Sequence, residues 1–404
     1  MVSPPEGMLA GLTVVDLTRF VSGAFATMTL STLGAEVLKI EAPQGGDPYR
    51  DQGTARIGGE SVLFMTLNSA KKSVAIDFRA PGALVAMNAL LAKADIFVEN
   101  GRPGSLDRYG LDFDSVHDRH PQLVYGSISG FGDVGPDARR GGFDLILQAA
   151  GGLMSVTGHD TTGPAKIGAP VTDIGAGLAC VVGILAAIEE RRRTGIGRHI
   201  STSLLEFSLA SLATLATAYL TTGREPGLLG THSPTFAPYG AFRASDGWLV
   251  LAGSGSEDMW HRFCEALGAN DLVADDRYID NASRVAARDA LTQDIQKTTS
   301  TRTVDDWLAV MDAAGVPAGR IDGLGEVLAG EQVKALGAVQ ELEHAKAGRY
   351  PVVGAPIRVD GETLPIAAPS PALGQHTRQA LLAAGVGVDD IDSLIRSGIA
   401  SEPA

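Results

Sequence analysis

The chain has 404 residues, with 33 lysines and arginines against 47 aspartates and glutamates, and a formal net charge of −14. This acidic balance argues against nucleic acid or an anionic membrane surface as a partner. Cys180 and Cys264 both lie in apolar helical patterns and no Cys/His cluster has metal-ligand spacing, so we predict neither disulfides nor a metal site. The N-terminus has no signal-peptide pattern, and the longest apolar stretch, 174–188, is shorter than the roughly 20 residues that span a bilayer. We therefore predict a cytoplasmic protein.

The first half alternates short apolar runs with helical patterns. In chain order, we predict strands at 13–17, 36–41, 73–77, 95–99 and 122–129, and helices at 24–33, 81–93, 143–153, 174–193 and 204–221. Continuous apolar strands separated by helices favour βαβ units and a parallel sheet buried on both faces.

The pattern of alternating strands and helices ends at 223–226. We predict a loop at 227–235, a β-hairpin at 240–252, and helices at 257–267, 284–299 and 303–314. Helical patterns return at 376–384 and 389–397. These changes divide the chain into a large domain at 1–225, a smaller α+β domain at 226–325, and a segment at 326–404 that returns to the large domain.

Two glycine-rich motifs have competing interpretations. Gly130–Gly135 fits G-x-G-x-x-G, but Pro136, Gly141 and Gly142 interrupt the helix that a dinucleotide site requires, so a tight-turning loop is favoured. Gly253–Ser256 is either a strand-to-helix turn with Ser256 as N-cap or a mobile lid over a reacting centre.

Basic residues gather at the ends of the predicted strands of the large domain. They are Lys71, Lys72, Arg79, Arg102, Arg108, Arg139 and Arg140. Ligands of open α/β sheets bind beyond the carboxyl ends of the strands, and arginines at such positions bind phosphates. The residues alone leave a shared anion site and a set of solvated surface charges both open.

Asp173 is the most informative carboxylate of the chain. Small residues surround it, and an apolar helical run follows. It is either the N-cap of that helix or a nucleophile in a tight pocket, and a helix N-cap is likewise the simplest interpretation of Asp144. The residues by themselves thus indicate an α/β protein that binds a phosphorylated ligand, with a candidate carboxylate.

Several motifs spread over most of the chain resemble those of class III coenzyme A transferases, the group that includes formyl-CoA, carnitine and bile-acid CoA transferases. The similar segments are 9–17, 33–41 with Gly46, Asp47 and Arg50, 68–77, 94–100 with Pro103 and Gly104, 127–132, 194–197, 238–240, 314–317 and 373–376. Each motif is weak alone, and together they are highly specific.

The resemblance implies a doubly wound parallel-sheet large domain built from both chain ends, a smaller α+β domain, and an interlocked homodimer. It implies coenzyme A and acyl-CoA as substrates, a carboxylic acid as the second substrate, and no metal. The implied catalytic residues are Asp173 as nucleophile, Asp144, and a lid at Gly253, Ser254 and Gly255. The implied CoA contacts are Ile76, Arg79, Asn100, Arg108 and Arg140, with Gly101 and Arg102 in the same loop as Asn100.

In the implied mechanism, an aspartate attacks the thioester and carries first the acyl group and then CoA. A carboxyl with an ordinary pKa of about 4 is ionised at neutral pH, so we expect Asp173 to need no general base. A position at a helix N-terminus would further favour the anion.

Two alternatives stay open. The same fold hosts α-methylacyl-CoA racemases, which need an acid/base group on each face of the carbon; they carry Gly-His-Asp where this chain has Gly142, Phe143 and Asp144, so transfer is favoured. A non-catalytic acyl-CoA-binding protein is the other alternative.

Several positions depart from formyl-CoA transferase itself. Its substrate-contacting glutamine and tryptophan align with Val21 and Gln52, and its CoA-site phenylalanine and arginine align with Gly101 and Ala42. Oxalate is therefore not predicted as acceptor. Phe20, Val21 and Phe143 point to a bulkier or less polar acyl group.

Overall fold

The computed structural model describes residues 7–403, which form two compact units. The first unit takes 7–152, 167–213 and 331–403, and the second takes 153–166 and 214–330. The second unit overlaps with the predicted domain at 226–325 but also takes in 153–166, 214–225 and 326–330. A backbone hydrogen bond of 2.7 Å from Gly230 to Gly158 ties 153–166 to this unit.

The first unit is built on a seven-stranded sheet. Its first six strands, in chain order, are β1 (Thr13–Leu17), β2 (Glu36–Glu41), β3 (Lys72–Ile76), β4 (Ile96–Glu99), β5 (Val124–Ser129) and β6 (His199–Ser203). They are parallel and lie in the order β6-β5-β4-β1-β2-β3, and the short strand Ala400–Ser401 adds antiparallel to β3. The C-terminal segment thus completes the sheet begun by the N-terminal half.

Helices cover both faces of the sheet because successive strand residues point to opposite sides. Val14, Val37 and Ile96 face a core that includes residues of helices α1 (Ser22–Thr32) and α3 (Val171–Thr194). Val15 and Phe97 face the opposite core, which includes the helix Ala83–Leu91. The predicted fold class, a doubly wound α/β domain with a smaller second domain, is confirmed.

The remaining elements of the first unit surround this sheet. They are the helices Val62–Leu67, Phe113–Arg119, α2 (Asp144–Ala150), Leu204–Ser211, Glu331–Leu336, Thr377–Ala383 and Val388–Arg396, the 3-10 turns Pro48–Arg50 and Asp107–Tyr109, and the strand pairs Arg56–Ile57 with Glu60–Ser61, Val339–His344 with Gly348–Val353 and Arg358–Val359 with Glu362–Thr363. The hairpin at 339–353 was not predicted, although buried and exposed residues alternate along both of its strands.

Helix α3 has 24 residues, the length and apolarity of a membrane-spanning helix. Half of its most apolar window is buried inside the protein, as in a core helix packed on a sheet. It is longer than the predicted helix at 174–193 because it begins at Val171, ahead of Asp173.

The second unit contains a three-stranded antiparallel sheet of β7 (Tyr239–Arg243), β8 (Trp248–Ala252) and β9 (Ala318–Arg320), with β8 in the centre. Its other elements are the helices Leu153–Val156, Ala213–Thr222, Glu257–Leu267, Asn281–Ala286, Arg288–Thr299, Val304–Ala313 and Leu324–Ala329, the 3-10 turns Asn270–Leu272 and Asp276–Tyr278, and the strand pair Gly158–His159 with Gly163–Pro164. Two predicted helices, 204–221 and 284–299, are each divided in two, at Leu212 and at Ala287.

Candidate active site

A cleft of about 680 Å³ lies in the first unit at the carboxyl ends of β1, β4 and β5. The strand order reverses between β1 and β4, since β2 and β3 extend to one side of β1 and β5 and β6 to the other. The loops that leave β1 and β4 diverge at such a point, which is where open α/β sheets bind ligands. Residues from both loops, including Arg19 and Asn100, line this cleft.

Asp173 lines the cleft from the first turn of α3. It does not cap the helix, because the N-cap residue is Pro170 and no side chain forms a cap hydrogen bond there. Gly177, one turn further on, explains how this face of α3 comes close to α1: a Cβ at Gly177 would lie 2.5 Å from the carbonyl oxygen of Ser22. The glycine allows Ser22 to approach the face of α3 that carries Asp173. Because Pro170 is the N-cap residue, the interpretation of Asp173 as the N-cap is wrong.

The pKa of Asp173 is far from the expected value of about 4. Burial, together with the nearby charge of Asp144, raises its pKa from 3.8 to about 7, although a hydrogen bond with Ser22 partly favours the anion. These effects outweigh the helix N-terminus, which favours the charged form. The expectation that this carboxyl is fully ionised at neutral pH is therefore wrong, because it lies in a partly dehydrated cleft beside a second carboxyl.

Asp144 holds the segment from which α3 begins. Its Oδ1 accepts hydrogen bonds from the backbone N–H of Thr172 at 2.9 Å and from the Thr172 hydroxyl at 2.8 Å. Its Oδ2 accepts a bond of 2.7 Å from Gln148, whose own Oε1 accepts from the backbone of Ile167. Asp144 is 8% exposed and bonded on both oxygens, so it orients the residue next to Asp173 and places a second negative charge nearby.

Ser22 and Asn100 connect the surroundings of Asp173 to the loops that leave β1 and β4. Ser22 lies close enough to Asp173 to favour its anion, and the Asn100 side-chain amide donates to Ser22 Oγ at 3.3 Å. The Asn100 side chain also accepts from the Arg19 backbone N–H at 2.8 Å and donates to the Arg19 carbonyl at 2.7 Å. The predicted CoA contact and the predicted nucleophile are thus connected through Ser22.

Arginines give the cleft its positive charge; those that line it are Arg19, Arg79, Arg102, Arg108 and Arg140. Arg79 pairs with Asp77 and Arg140 with Asp137, each at 2.8 Å, while Arg108 lies over the ring of Tyr109. The predicted residues Arg79, Arg102, Arg108 and Arg140 are therefore brought together with Asn100 and Gly101 in one cleft. This arrangement matches the charge of a phosphorylated ligand such as CoA.

Three residues of the predicted anion set, and the predicted CoA contact Ile76, do not line this cleft. Ile76 is fully buried and borders a small adjoining cavity of about 30 Å³. Lys72 forms an ion pair with Glu36, and Lys71 is buried in the core. Arg139 is exposed and is absent from the residues that line the cleft.

Lys71 belongs to a buried network of charges near the end of β1. It forms an ion pair with Asp16 at 3.1 Å, and both side chains are fully buried. Lys39 pairs with Asp47 at 3.0 Å and donates to the carbonyl of Thr18, also at 3.0 Å. Burial opposes ionisation of Asp16, yet the charges of Lys71 and Lys39 lower its pKa to about 2. The network fixes the strand end from which Arg19 and Ser22 extend.

Glu99 is a cleft residue that the sequence analysis did not select. It ends β4, and its Oε2 accepts a bond of 2.6 Å from the Gly101 backbone N–H. Burial raises the pKa of Glu99 to about 7 despite this bond. The cleft therefore holds two carboxyls, those of Asp173 and Glu99, that titrate near neutral pH.

Aromatic side chains form part of the cleft wall next to Asp173. The ring of Phe20 packs edge-on against Tyr49 and Phe143, with centroids 5.5 and 5.7 Å apart. Phe20 has a φ of 60°, a left-handed conformation that is costly for a bulky residue and occurs most often at functional sites. Phe20, Val21 and Phe143 all line the cleft, and the bulkier or less polar acyl group expected from them stays a prediction.

The predicted lid residues Gly253, Ser254 and Gly255 lie in the second unit, between β8 and the helix Glu257–Leu267. Ser256 caps that helix, since its hydroxyl accepts from the Met259 N–H at 3.1 Å. A Cβ at Gly253 would lie 2.5 Å from the ring of Phe263, so packing requires glycine there. The turn interpretation is confirmed, and a lid over the reacting centre stays a prediction.

Comparison with known proteins identifies the family. The model of CoA-transferase family III matches residues 9–377. The chain belongs to CoA-transferase family III. It is 36% identical to succinyl-CoA:glutarate CoA-transferase of Mus musculus over 92% of this chain and 85% of that protein. It is 34% identical to acetyl-CoA:oxalate CoA-transferase of Acetobacter aceti over 88% of this chain and 90% of that protein.

A solved structure of the family is similar over the same extent. The crystal structure of a CAIB/BAIF family protein from Brucella suis is 36% identical, with a TM-score of 0.82, and covers 95% of this chain and 100% of that one. Family membership makes this chain an enzyme of CoA transfer, with acyl-CoA thioesters among its substrates. Within residues 7–403, no three His, Cys, Asp or Glu side chains are grouped as metal ligands.

The cleft residues that were not selected from the sequence as site residues include Arg19, Ser22, Tyr49 and Glu99. Arg19 and Glu99 do carry a sequence signal, because each is a charged residue at the carboxyl end of a predicted strand. Ser22 carries none, since its place beside Asp173 depends on the close packing of α1 on α3.

Proposed function

We propose that the chain transfers CoA from an acyl-CoA thioester to a carboxylic acid through covalent intermediates on Asp173. The observation that carries this proposal is the position of Asp173, which lines a positively charged cleft without capping its helix. A carboxylate with no structural task in a cleft that fits a phosphorylated thioester is suited to attack that thioester. The homodimer and the cytoplasmic location predicted from sequence belong to the same proposal.

The steps balance without an outside reagent. The Asp173 carboxylate attacks the thioester carbonyl, the C–S bond breaks, and CoA thiolate leaves behind a mixed anhydride. The thiolate then attacks the Asp173 carbonyl, which forms an enzyme-bound thioester and releases the first carboxylate. The acceptor carboxylate attacks that thioester and the two steps run in reverse, so CoA leaves as a new thioester and Asp173 is restored.

The raised pKa of Asp173 fits this chemistry. A carboxylate that is poorly solvated is a stronger nucleophile than one held by several hydrogen bonds, and its pKa is higher for the same reason. Asp144 contributes by holding Thr172 and by placing its charge near Asp173.

Mass spectrometry of the enzyme after incubation with acyl-CoA tests the covalent intermediate directly. A CoA adduct on the peptide that contains Asp173 supports the proposal, and the absence of this adduct across a broad panel of thioesters contradicts it.

The rate of transfer is expected to rise with pH through the pKa of Asp173. Only the anion attacks, and burial places this pKa at about 7, so kcat/KM should increase from about pH 6 and level off above about pH 8. A pH profile of kcat/KM tests this. Glu99 has a similar pKa, so Glu99→Gln is the matched control: the midpoint should persist in this variant, and its loss would assign the titration to Glu99 instead.

Replacing Ser22 by alanine is expected to move that midpoint upward. The Ser22 hydrogen bond favours the Asp173 anion, and losing one such bond is worth about 0.5 to 1 pH unit. The matched control is Ser31→Ala on the same helix, because the Ser31 hydroxyl donates to the Ala70 carbonyl instead. An unchanged midpoint in Ser22→Ala would show that Ser22 does not tune the nucleophile.

A further inference from the structure

Arg19 lines the cleft, and within residues 7–403 its guanidinium forms neither an ion pair nor a hydrogen bond with the protein; Arg102 likewise forms no ion pair. The hydrogen bonds of Arg19 within this range are those of its backbone N–H and carbonyl with Asn100. Arg79 and Arg140, by contrast, are neutralised by aspartates. A cation that faces a cleft and is left unpaired is available to bind an anionic group of a ligand.

Arg19 belongs to the segment after β1 that leads into α1, and this segment reaches Asp173 through Ser22. Arg19 lies three residues before Ser22, and Ser22 favours the Asp173 anion. The Asn100 side chain holds the Arg19 backbone on both sides at 2.8 and 2.7 Å, so its Cα is fixed where the strand order reverses. The side chain borders both the main cleft and the adjoining small cavity.

Electrostatics near Asp173 require such a cation if the substrate carries a second carboxylate. Asp173 attacks as an anion, and Asp144 adds a second negative charge beside it. A further carboxylate entering this partly buried region is repelled unless it meets a positive group with hydrogen-bond donors. Arginine fits this task because its planar guanidinium binds carboxylates through paired hydrogen bonds.

We propose that Arg19 binds the carboxylate of a dicarboxylic substrate that is not being activated, so that the enzyme selects short dicarboxylic acids and their mono-CoA thioesters over monocarboxylic ones. This inference rests on the proposed function, in which Asp173 is the nucleophile. The acceptors named for the two relatives, glutarate and oxalate, are both dicarboxylic acids. The apolar wall of Phe20 and Phe143 then contacts the methylene chain between the carboxyl groups.

The first half-reaction tests this with one ligand at a time. Formation of the CoA adduct on Asp173 is followed by mass spectrometry with glutaryl-CoA and with valeryl-CoA, which differ in the second carboxylate. The wild-type enzyme should react faster with glutaryl-CoA. Arg19→Gln should slow the reaction with glutaryl-CoA by about 10- to 150-fold, the effect of losing hydrogen bonds to a charged group, and leave the reaction with valeryl-CoA within about threefold.

The matched control is Arg102→Gln, a second cleft arginine without an ion pair, which is predicted to contact CoA. It should slow both thioesters alike. If Arg19→Gln slows the reactions of both thioesters equally, Arg19 is a CoA contact and the inference is overturned. Equal wild-type rates with the two thioesters would also overturn the inference. If neither thioester forms an adduct in the wild-type enzyme, the proposed function fails instead. Thermal unfolding of each variant confirms that the fold is retained.

Discussion

Replacing Asp173 by asparagine is expected to reduce CoA transfer by a factor on the order of 10⁴ or more, the usual cost of removing a covalent nucleophile. The amide has nearly the same shape but cannot form the mixed anhydride that starts the exchange. CoA itself should still bind, since the arginines of the cleft are unchanged. Steady-state exchange between an acyl-CoA and a carboxylic acid measures the first effect, and titration calorimetry with CoA measures the second.

The control for this variant is Asp114→Asn, which changes an exposed aspartate in the first turn of another helix, Phe113–Arg119. It should leave the exchange rate unchanged, because Asp114 does not line the cleft. Exchange by Asp173→Asn at the wild-type rate would exclude Asp173 as the covalent carrier. An enzyme that keeps binding CoA but never exchanges it, even as wild type with many donors, would favour the binding-protein alternative.

Stability provides an independent check on the same variant. The pKa of Asp173 in the folded protein, about 7, is above its ordinary value of 3.8. Ionising this carboxyl therefore costs stability as the pH rises through that interval. Asparagine removes this cost, so the unfolding temperature of Asp173→Asn should exceed that of the wild type by more at about pH 8 than at about pH 5. A variant that is inactive because it misfolds would unfold at lower temperature at both pH values.

Replacing Lys71 by methionine is expected to destabilise the first unit by about 3 to 5 kcal/mol, since it leaves the Asp16 carboxylate buried without its ion-pair partner. The Lys71 ammonium also donates to the Thr27 hydroxyl at 2.8 Å and to the Ala24 carbonyl at 3.0 Å, so both of these contacts between the segment before β3 and α1 are lost as well. Urea unfolding followed by circular dichroism measures the change in the unfolding free energy.

The adjacent residue provides the control. Lys72 also forms an ion pair, with Glu36, but the two side chains are 37% and 44% exposed. Exposed pairs contribute about 0 to 1 kcal/mol, because water solvates both charges after the pair is broken. Lys72→Met should therefore unfold nearly like the wild type. If the two substitutions lower the free energy of unfolding equally, burial does not explain the contribution of the Lys71–Asp16 ion pair to stability.

The raised pKa of Asp173 also bears on the racemase alternative. Racemisation needs an acid and a base on opposite faces of one carbon, and the cleft does hold two carboxyls that titrate near pH 7, those of Asp173 and Glu99. Family membership and the names of the relatives favour transfer. Solvent deuterium entering a 2-methylacyl-CoA without any acceptor acid would detect racemisation.

The sequence by itself determined the elements of the large sheet and much of the cleft. Strands buried on both faces are continuous apolar runs, so β1, β2 and β3 were predicted to within a residue. Because the carboxyl ends of parallel strands meet at one edge, Arg79, Asn100 and Arg102 were expected in one place, and they are. These features depend on residue patterns that are local along the chain.

Only the tertiary structure determined the protonation state of Asp173 and the residues that lie next to it. A carboxyl in the first turn of a helix is usually anionic, and only the packing of α1 against Gly177, the nearness of Asp144 and the loss of water raise the pKa of Asp173 to about 7. In the same way, Lys71 and Lys72 are indistinguishable neighbours in the sequence, yet one is fully buried and the other half exposed. Dehydration and contacts between residues far apart in the chain set these properties, and no local pattern records them.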